Sequence, residues 1–136
     1  MEFAIKTEVS KPKTGLFVFS EQKTMYGGKH IAAGDIVFVF ASENEGGQGL
    51  AAAGIVASAE ATPRKPGVAR QAPRVSITVQ ITGVAKRRLG RAELKAFAGW
   101  NDGRPETELN FKFYRQATNK IVGISGEAAA FLRSYI

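Results

Sequence analysis

The chain predicts a mixed β fold with short helices (α+β), a barrel of five or six strands flanked by two or three short helices. Three observations carry that expectation. The run Ile36-Val37-Phe38-Val39-Phe40-Ala41 is apolar throughout and rich in β-branched and aromatic residues, which marks a strand covered on both faces. Arg74 to Val84 alternates, with Val75, Ile77, Val79 and Ile81 set against Arg74, Ser76, Thr78 and Gln80, the pattern of a half-buried strand. Beyond Ser125, the apolar residues Ala128, Phe131, Leu132 and Tyr135 fall at helical spacing.

The elements follow in order. Phe3 to Glu8 reads as a first strand. Lys11-Pro12-Lys13-Thr14-Gly15 is a loop, since proline fixes φ and glycine supplies the turn. Leu16-Phe17-Val18-Phe19 is of strand type, and Tyr26-Gly27-Gly28-Lys29-His30 is an irregular, flexible segment. Gly34-Asp35 turns the chain into Ile36 to Ala41. The polar, glycine-rich connection Ser42 to Gly49 leads to Ala51 to Ala61, where alanine permits a helix. Gly54, Ile55 and Val56 argue instead for a strand that another element approaches closely. Thr62 to Pro73 is a long loop, followed by the Arg74 strand. Gly90 to Phe97 is a short helix with Leu94 and Phe97 on one face. Gly99 to Glu108 reads as irregular, Leu109 to Tyr114 as a short strand and Lys120 to Ile124 as the last one. Ser125 or Gly126 caps the final helix.

Residues 1–136 read as a single domain, with 44% hydrophobic and 23% charged residues, a balance that supports a continuous core without metal or disulfide. The chain has no cysteine, which excludes thiolate catalysis, disulfides and cysteine-ligated zinc, and one histidine, His30, which excludes a histidine-rich metal site. No cofactor or metal is expected. Met1-Glu2-Phe3-Ala4-Ile5-Lys6 lacks a basic region followed by a long apolar stretch, so no signal peptide is expected. With no apolar run of membrane-spanning length, a cytoplasmic protein without membrane association is the expectation.

Charge is more informative. The net charge is +7, and the stretch between Ala61 and Ala92 carries eight basic residues and no acidic one. Arg64, Lys65, Arg70 and Arg74 lie in or beside a proline-containing linker, while Lys86, Arg87, Arg88 and Arg91 form a second cluster. Acidic residues stand elsewhere, at Glu43 and Glu45 and then Glu106 and Glu108, and arginine's planar fork suits phosphate. These eight cations, with Arg115, are the candidate phosphate contacts. The competing reading is a solvated face.

Phe3-Ala4-Ile5-Lys6-Thr7-Glu8 resembles the aromatic-x-x-Lys-Ser-Glu opening of the EVE family, a branch of the PUA-like superfamily that includes the ASCH and YTH domains. Gly34-Asp35-Ile36-Val37-Phe38-Val39-Phe40 resembles that superfamily's Gly-Asp strand, and Gly54-Ile55-Val56-Ala57-Ser58-Ala59 is similar to the Gly-Ile-Val-Gly-x-Ala strand that follows it. The resemblance covers residues 3–61. It implies a PUA-like pseudo-barrel whose members bind RNA or DNA, some taking a modified base into an aromatic-lined pocket. Tyr26 to His30 stands where the family has a tryptophan-containing segment.

An extruded base needs a flat apolar surface and donors or acceptors aimed at its edge. On the EVE-like arrangement Lys6, Thr7, Tyr26, His30 and Ser42 line one pocket mouth. Tyr26 equally fits partial core packing, His30 an ordinary loop position, and the Thr7 and Ser42 hydroxyls local backbone satisfaction. Trp100, beside Asn101-Asp102-Gly103-Arg104, either stacks on a base or plugs the barrel. Strand alternation puts Phe111 and Phe113 inward and leaves Tyr114, with Arg115, facing outward.

Enzyme readings fare poorly. Ser125, His30 and Asp35 form a triad only on paper, because no strand-Ser-helix elbow supports it. Gly46-Gly47-Gln48-Gly49 lacks the ending of a phosphate loop. Glu106 and Glu108 read as a solvated loop. The expectation is a non-catalytic binding module for nucleic acid, RNA or DNA, acting as a monomer or weak homodimer. The alternative is a small-metabolite or protein-interaction module on the same fold. A basic surface continuous with the pocket favours the first, and a small apolar pocket with the cations on another face favours the second.

Overall fold

The computed structural model of this chain describes residues 2–7, 15–42, 49–62, 67, 74–97, 102–116 and 120–136, with residues 114–116 by backbone alone. Among the described residues six strands form: β1 (Glu2–Thr7), β2 (Leu16–Met25), β3 (Ile36–Ala41), β4 (Gly49–Ala61), β5 (Arg74–Val84) and β6 (Lys120–Gly123). They close into a barrel in the order β1-β3-β4-β5-β2-β6. The β1–β3 and β2–β6 pairs are parallel and the other four antiparallel. Helices α1 (Arg91–Leu94), α2 (Pro105–Asn110) and α3 (Gly126–Arg133) lie among the described residues, with a 3-10 turn at Gly28–His30 and a π-turn at Phe111–Gln116. The six-stranded barrel with short helices bears out the PUA-like pseudo-barrel expected from the sequence.

Side-chain alternation divides the apolar residues between two cores. Phe3 and Ile5 of β1, Val37 and Val39 of β3, and Val75, Ile77, Val79 and Ile81 of β5 fill the barrel. Ala4, Phe38, Phe40 and Val122 face outward, against Leu94, Leu109, Phe113, Ala128, Ala129 and Leu132 of the helical layer. The unbroken apolar character of β3 thus reflects burial on both faces. Each such Val, Ile, Leu or Phe stabilises the fold by about 1.5–3 kcal/mol against an exposed reference.

Several elements match their expected places, and three differ. Ser125 caps α3, its Oγ accepting from the Ala128 N–H at 3.1 Å. The Tyr26–His30 segment, expected to be irregular, is a tight turn. Tyr26 has φ 53°, Gly27 has φ 81°, and the 3-10 turn follows at once. The strand expected over Leu109 to Tyr114 is instead the end of α2 and the π-turn. Leu109, Phe111 and Phe113 alternate, but Leu109 and Phe113 are also four apart, and the helical period wins because both then enter the core. Pro105 at the first helical turn, followed by Glu106 and Glu108, is the helix-start signal. Glu106 and Glu108 are accordingly helical and partly buried rather than part of a solvated loop. Residues 43–48 and most of 63–73, expected to be loops, lie outside the described residues.

Candidate nucleic-acid interface

Parallel pairing of β1 with β3 brings their C-terminal ends out side by side, with Lys6 opposite Phe40 and Thr7 opposite Ala41. The Ser42 N–H donates to the Thr7 carbonyl at 2.9 Å, so Thr7 and Ser42 form one rim. Both side chains are buried, Thr7 with 8% and Ser42 with 4% of its surface exposed. The ladder continues outward from this rim. Ala41 pairs with Gly49, and Gly49 bridges to Leu89, whose carbonyl accepts from the Leu50 N–H at 2.8 Å. Gly49 has φ 84°, and a Cβ there would run into the Leu89 carbonyl, so the position requires glycine.

This close approach pins Leu89, and with it the cations that flank it. Arg88 and Arg91 are therefore about three strand spacings from Thr7, roughly 14 Å across the sheet. Arg88 Nε stands 3.6 Å from Glu93 Oε1, whose carboxylate accepts from the Gly90 N–H and so fastens the start of α1. The Lys86 N–H donates to the Tyr135 carbonyl at 2.6 Å. Arg87 Nη2 donates to the Ser134 carbonyl at 3.0 Å, and its guanidinium lies 4.2 Å from the centre of the Tyr135 ring. Arg87 thus braces the end of α3, while Arg91 is exposed at the start of α1.

The π-turn forms the adjoining wall. Lys6 is buried, and its Nζ donates to the Phe113 carbonyl at 3.0 Å, while the Phe113 ring packs 4.9 Å from that of Phe40. Two residues earlier, Phe111 meets Tyr26 at 6.5 Å between ring centroids, and Lys112 Nζ lies 5.0 Å from the Tyr26 ring. Tyr26 thus contacts Phe111 and Lys112 through its ring and remains 39% exposed. His30 lies exposed on the 3-10 turn. The structure brings Lys6, Thr7 and Ser42 together and sets Tyr26 against the same π-turn, but about three residues back along β1, at the level of Phe3 and Gly123. Trp100, Arg64, Lys65 and Arg70 lie outside the described residues, as do the side chains of Tyr114 and Arg115.

Nearly the whole chain superposes on known structures. The DUF55 domain of human thymocyte nuclear protein 1 superposes with a TM-score of 0.65 at 16% identity, over 98% of this chain and 97% of that one. Human THYN1 protein in complex with 5-methylcytosine containing DNA gives a TM-score of 0.64 at 17% identity, over 98% and 95% of the two chains. A Pseudomonas putida protein gives 0.62 at 15% identity, over 99% of each. This chain has the DUF55 fold. No family model and no curated protein matches it.

Within this DUF55 fold, the wall behind the rim is held by a polar cluster that the sequence did not single out. Lys112 Nζ donates to Glu108 Oε2 at 3.0 Å and to the Gly123 carbonyl at 2.7 Å. Glu108 also accepts from the Ser125 N–H at 2.8 Å and from Ser125 Oγ. Burial alone would push the Glu108 carboxyl up, but the hydrogen bonds from Ser125 and the Lys112 ammonium outweigh it and hold it below its ordinary value. The only sequence signal was the i,i+4 spacing of Glu108 and Lys112. Ser125 is committed to this cluster and to the α3 cap, while Asp35 Oδ2 accepts from the Ala32 N–H at 2.9 Å. The triad drawn from Ser125, His30 and Asp35 is not assembled.

Proposed function

We propose that this chain is a non-catalytic nucleic-acid-binding module that receives a base at the Thr7–Ser42 rim and holds the flanking phosphates on Arg88 and Arg91. The row Thr7–Ala41–Gly49–Leu89 carries this reading, because it makes the basic segment continuous with the rim. The buried hydroxyls of Thr7 and Ser42 are suited to the edge of a base, and the arginines to phosphate oxygens. Likeness to a fold crystallised with 5-methylcytosine containing DNA supports DNA as the first polymer to test and a methylated cytosine as the first base.

Fluorescence anisotropy with short single- and double-stranded DNA and RNA, with and without 5-methylcytosine, tests the reading at two salt concentrations. Salt-sensitive binding is expected. Loss of base preference with retained overall affinity is expected for Thr7→Val with Ser42→Ala. Absence of binding to every probe at low salt overturns the reading.

One observation favours a second reading. A groove of about 360 Å³ is lined by Ile36, Phe38, Ala53, Gly54, Ile55, Thr82, Arg133 and Ile136. It lies where Ile36 pairs with Ile55, at the opposite end of β3 from the rim. A mostly apolar groove away from Arg88 and Arg91, with Arg133 as the one cation among the described residues of its lining, is the form expected of a small-ligand or peptide site, which takes first place if no nucleic acid binds.

A further inference from the structure

A second group of cations, assembled from three strands distant in sequence, stands on the outer surface of the barrel. Lys23 of β2 is the register partner of Arg74 on β5 and also of Lys120 on β6. Their sequence neighbours Val75 and Ile121 fill the barrel, so alternation turns all three outward. Like charges directly opposite one another across strands destabilise a sheet, and two such pairs in succession have no folding rationale. Arg74 donates through Nη1 to the Glu21 carbonyl at 3.2 Å, a contact that orients the guanidinium without neutralising it. Two of the described carboxylates, Glu21 and Glu60, stand at Ser76, two residues along β5 from Arg74: the Glu21 N–H donates to Ser76 Oγ, and Glu60 is the register partner of Ser76. Among the described residues neither is ion-paired with the row.

The row has a direction. Ile5 pairs with Ile121, which sets Lys120 beside Lys6 and one residue from Thr7. From the rim, the cations run Lys120, Lys23, Arg74 on one side, and Arg88, Arg91 on the other. Three adjacent strands span about 10 Å, enough for about three phosphates at a rise of about 3.4 Å each along one strand.

We infer that Arg74, Lys23 and Lys120 form a phosphate track that carries the nucleic-acid backbone on the β6 side of the rim, opposite Arg88 and Arg91. The inference rests on the function proposed above. It adds Lys23 and Lys120, two isolated lysines in sequence, and gives the bound strand a path with the rim at its middle.

The test compares wild-type protein with the double variant Lys23→Ser, Lys120→Ser and, separately, with Arg88→Ala, Arg91→Ala, using a labelled 12-nucleotide DNA strand with one central 5-methylcytosine. Removing two phosphate contacts is expected to reduce the slope of log affinity against log salt by about 1.4. The melting temperature of the free double-lysine variant is expected to hold or rise, since like-charge repulsion is relieved. An unchanged salt slope in the double-lysine variant, when the wild-type protein binds the strand, overturns the track alone. A marked fall in melting temperature also overturns it, because the lysines would then serve the fold. Failure of the wild-type protein itself to bind overturns the proposed function and the track with it.

Discussion

Lys6 Nζ donates a hydrogen bond to the main-chain carbonyl of Phe113 at 3.0 Å, joining the end of β1 to the π-turn across 107 positions of sequence. The lysine is 2% exposed. A π-turn departs from the regular α-helical hydrogen-bond pattern, and Lys6 supplies the Phe113 carbonyl with a donor from outside the helix. The residue that leads into the Thr7–Ser42 rim thereby positions the wall beside it.

Replacing Lys6 by methionine keeps the stem and removes the donor. The Phe113 carbonyl then stays buried without this partner, and stability is expected to fall by roughly 1–3 kcal/mol. Urea unfolding followed by tryptophan fluorescence measures this, and an unchanged midpoint would show that the contact contributes nothing.

Glu108 makes stability depend on acid. Its folded pKa lies below the ordinary value, so its contribution is fully present above about pH 4.3 and fades as pH falls through the lower folded value. Glu108→Gln should remove that acid limb and cost roughly 1–2 kcal/mol at neutral pH, after allowance for its partial exposure. Melting curves taken between about pH 2 and about pH 7, which bracket the carboxylate range, should converge for the two proteins at the acid end. Parallel curves would mean that Glu108 is not the responsible group.

Gly54 of β4 lies tight against β5. A Cβ there would lie 2.5 Å from the Gln80 carbonyl oxygen and 2.5 Å from Val79 Cγ1. Gly54→Ala is therefore expected to destabilise by about 1–3 kcal/mol through backbone displacement. Thermal unfolding reads the effect, and a variant as stable as the parent would show that the strands separate freely there.

Arg87 and Arg91 should separate folding from binding. Arg87→Ala loses the Tyr135 stack and the Ser134 hydrogen bond, and is expected to cost about 0.5–1 kcal/mol of stability. Arg91→Ala should stay within about 0.5 kcal/mol of the parent and weaken DNA binding for all sequences alike. Paired melting and anisotropy measurements on the two variants decide this, and a reversed pattern would exchange their roles.

Much of the barrel was legible because its signals are local. The alternation from Val75 to Ile81, the continuous apolar run of β3 and the Ser125 cap each arise within a few residues, from side-chain direction or a hydrogen bond to a neighbouring turn. The segment from Leu109 to Phe113 was not, since its spacing satisfies period two and i,i+4 together. Pro105 with two following glutamates was the signal that could have settled it. Of the residues singled out in the sequence, the fold brings Thr7 and Ser42 together through a backbone hydrogen bond, turns Lys6 toward the Phe113 carbonyl and sets Tyr26 beside Phe111, placements that no local pattern carries.

By itself the sequence determined the six barrel strands in outline, the final helix, the double burial of β3 and the excess of positive charge, all properties of short windows and of composition. It also suggested a strand at Leu109 to Tyr114, which is helical. The tertiary structure alone decided the neighbours. Register across a closed barrel is set by long-range packing, so only the fold could place Lys23 between Arg74 and Lys120, bring Leu89 against Gly49, or draw Glu108, Lys112 and Ser125 into one cluster. Those pairings turn a basic composition into a surface with a direction.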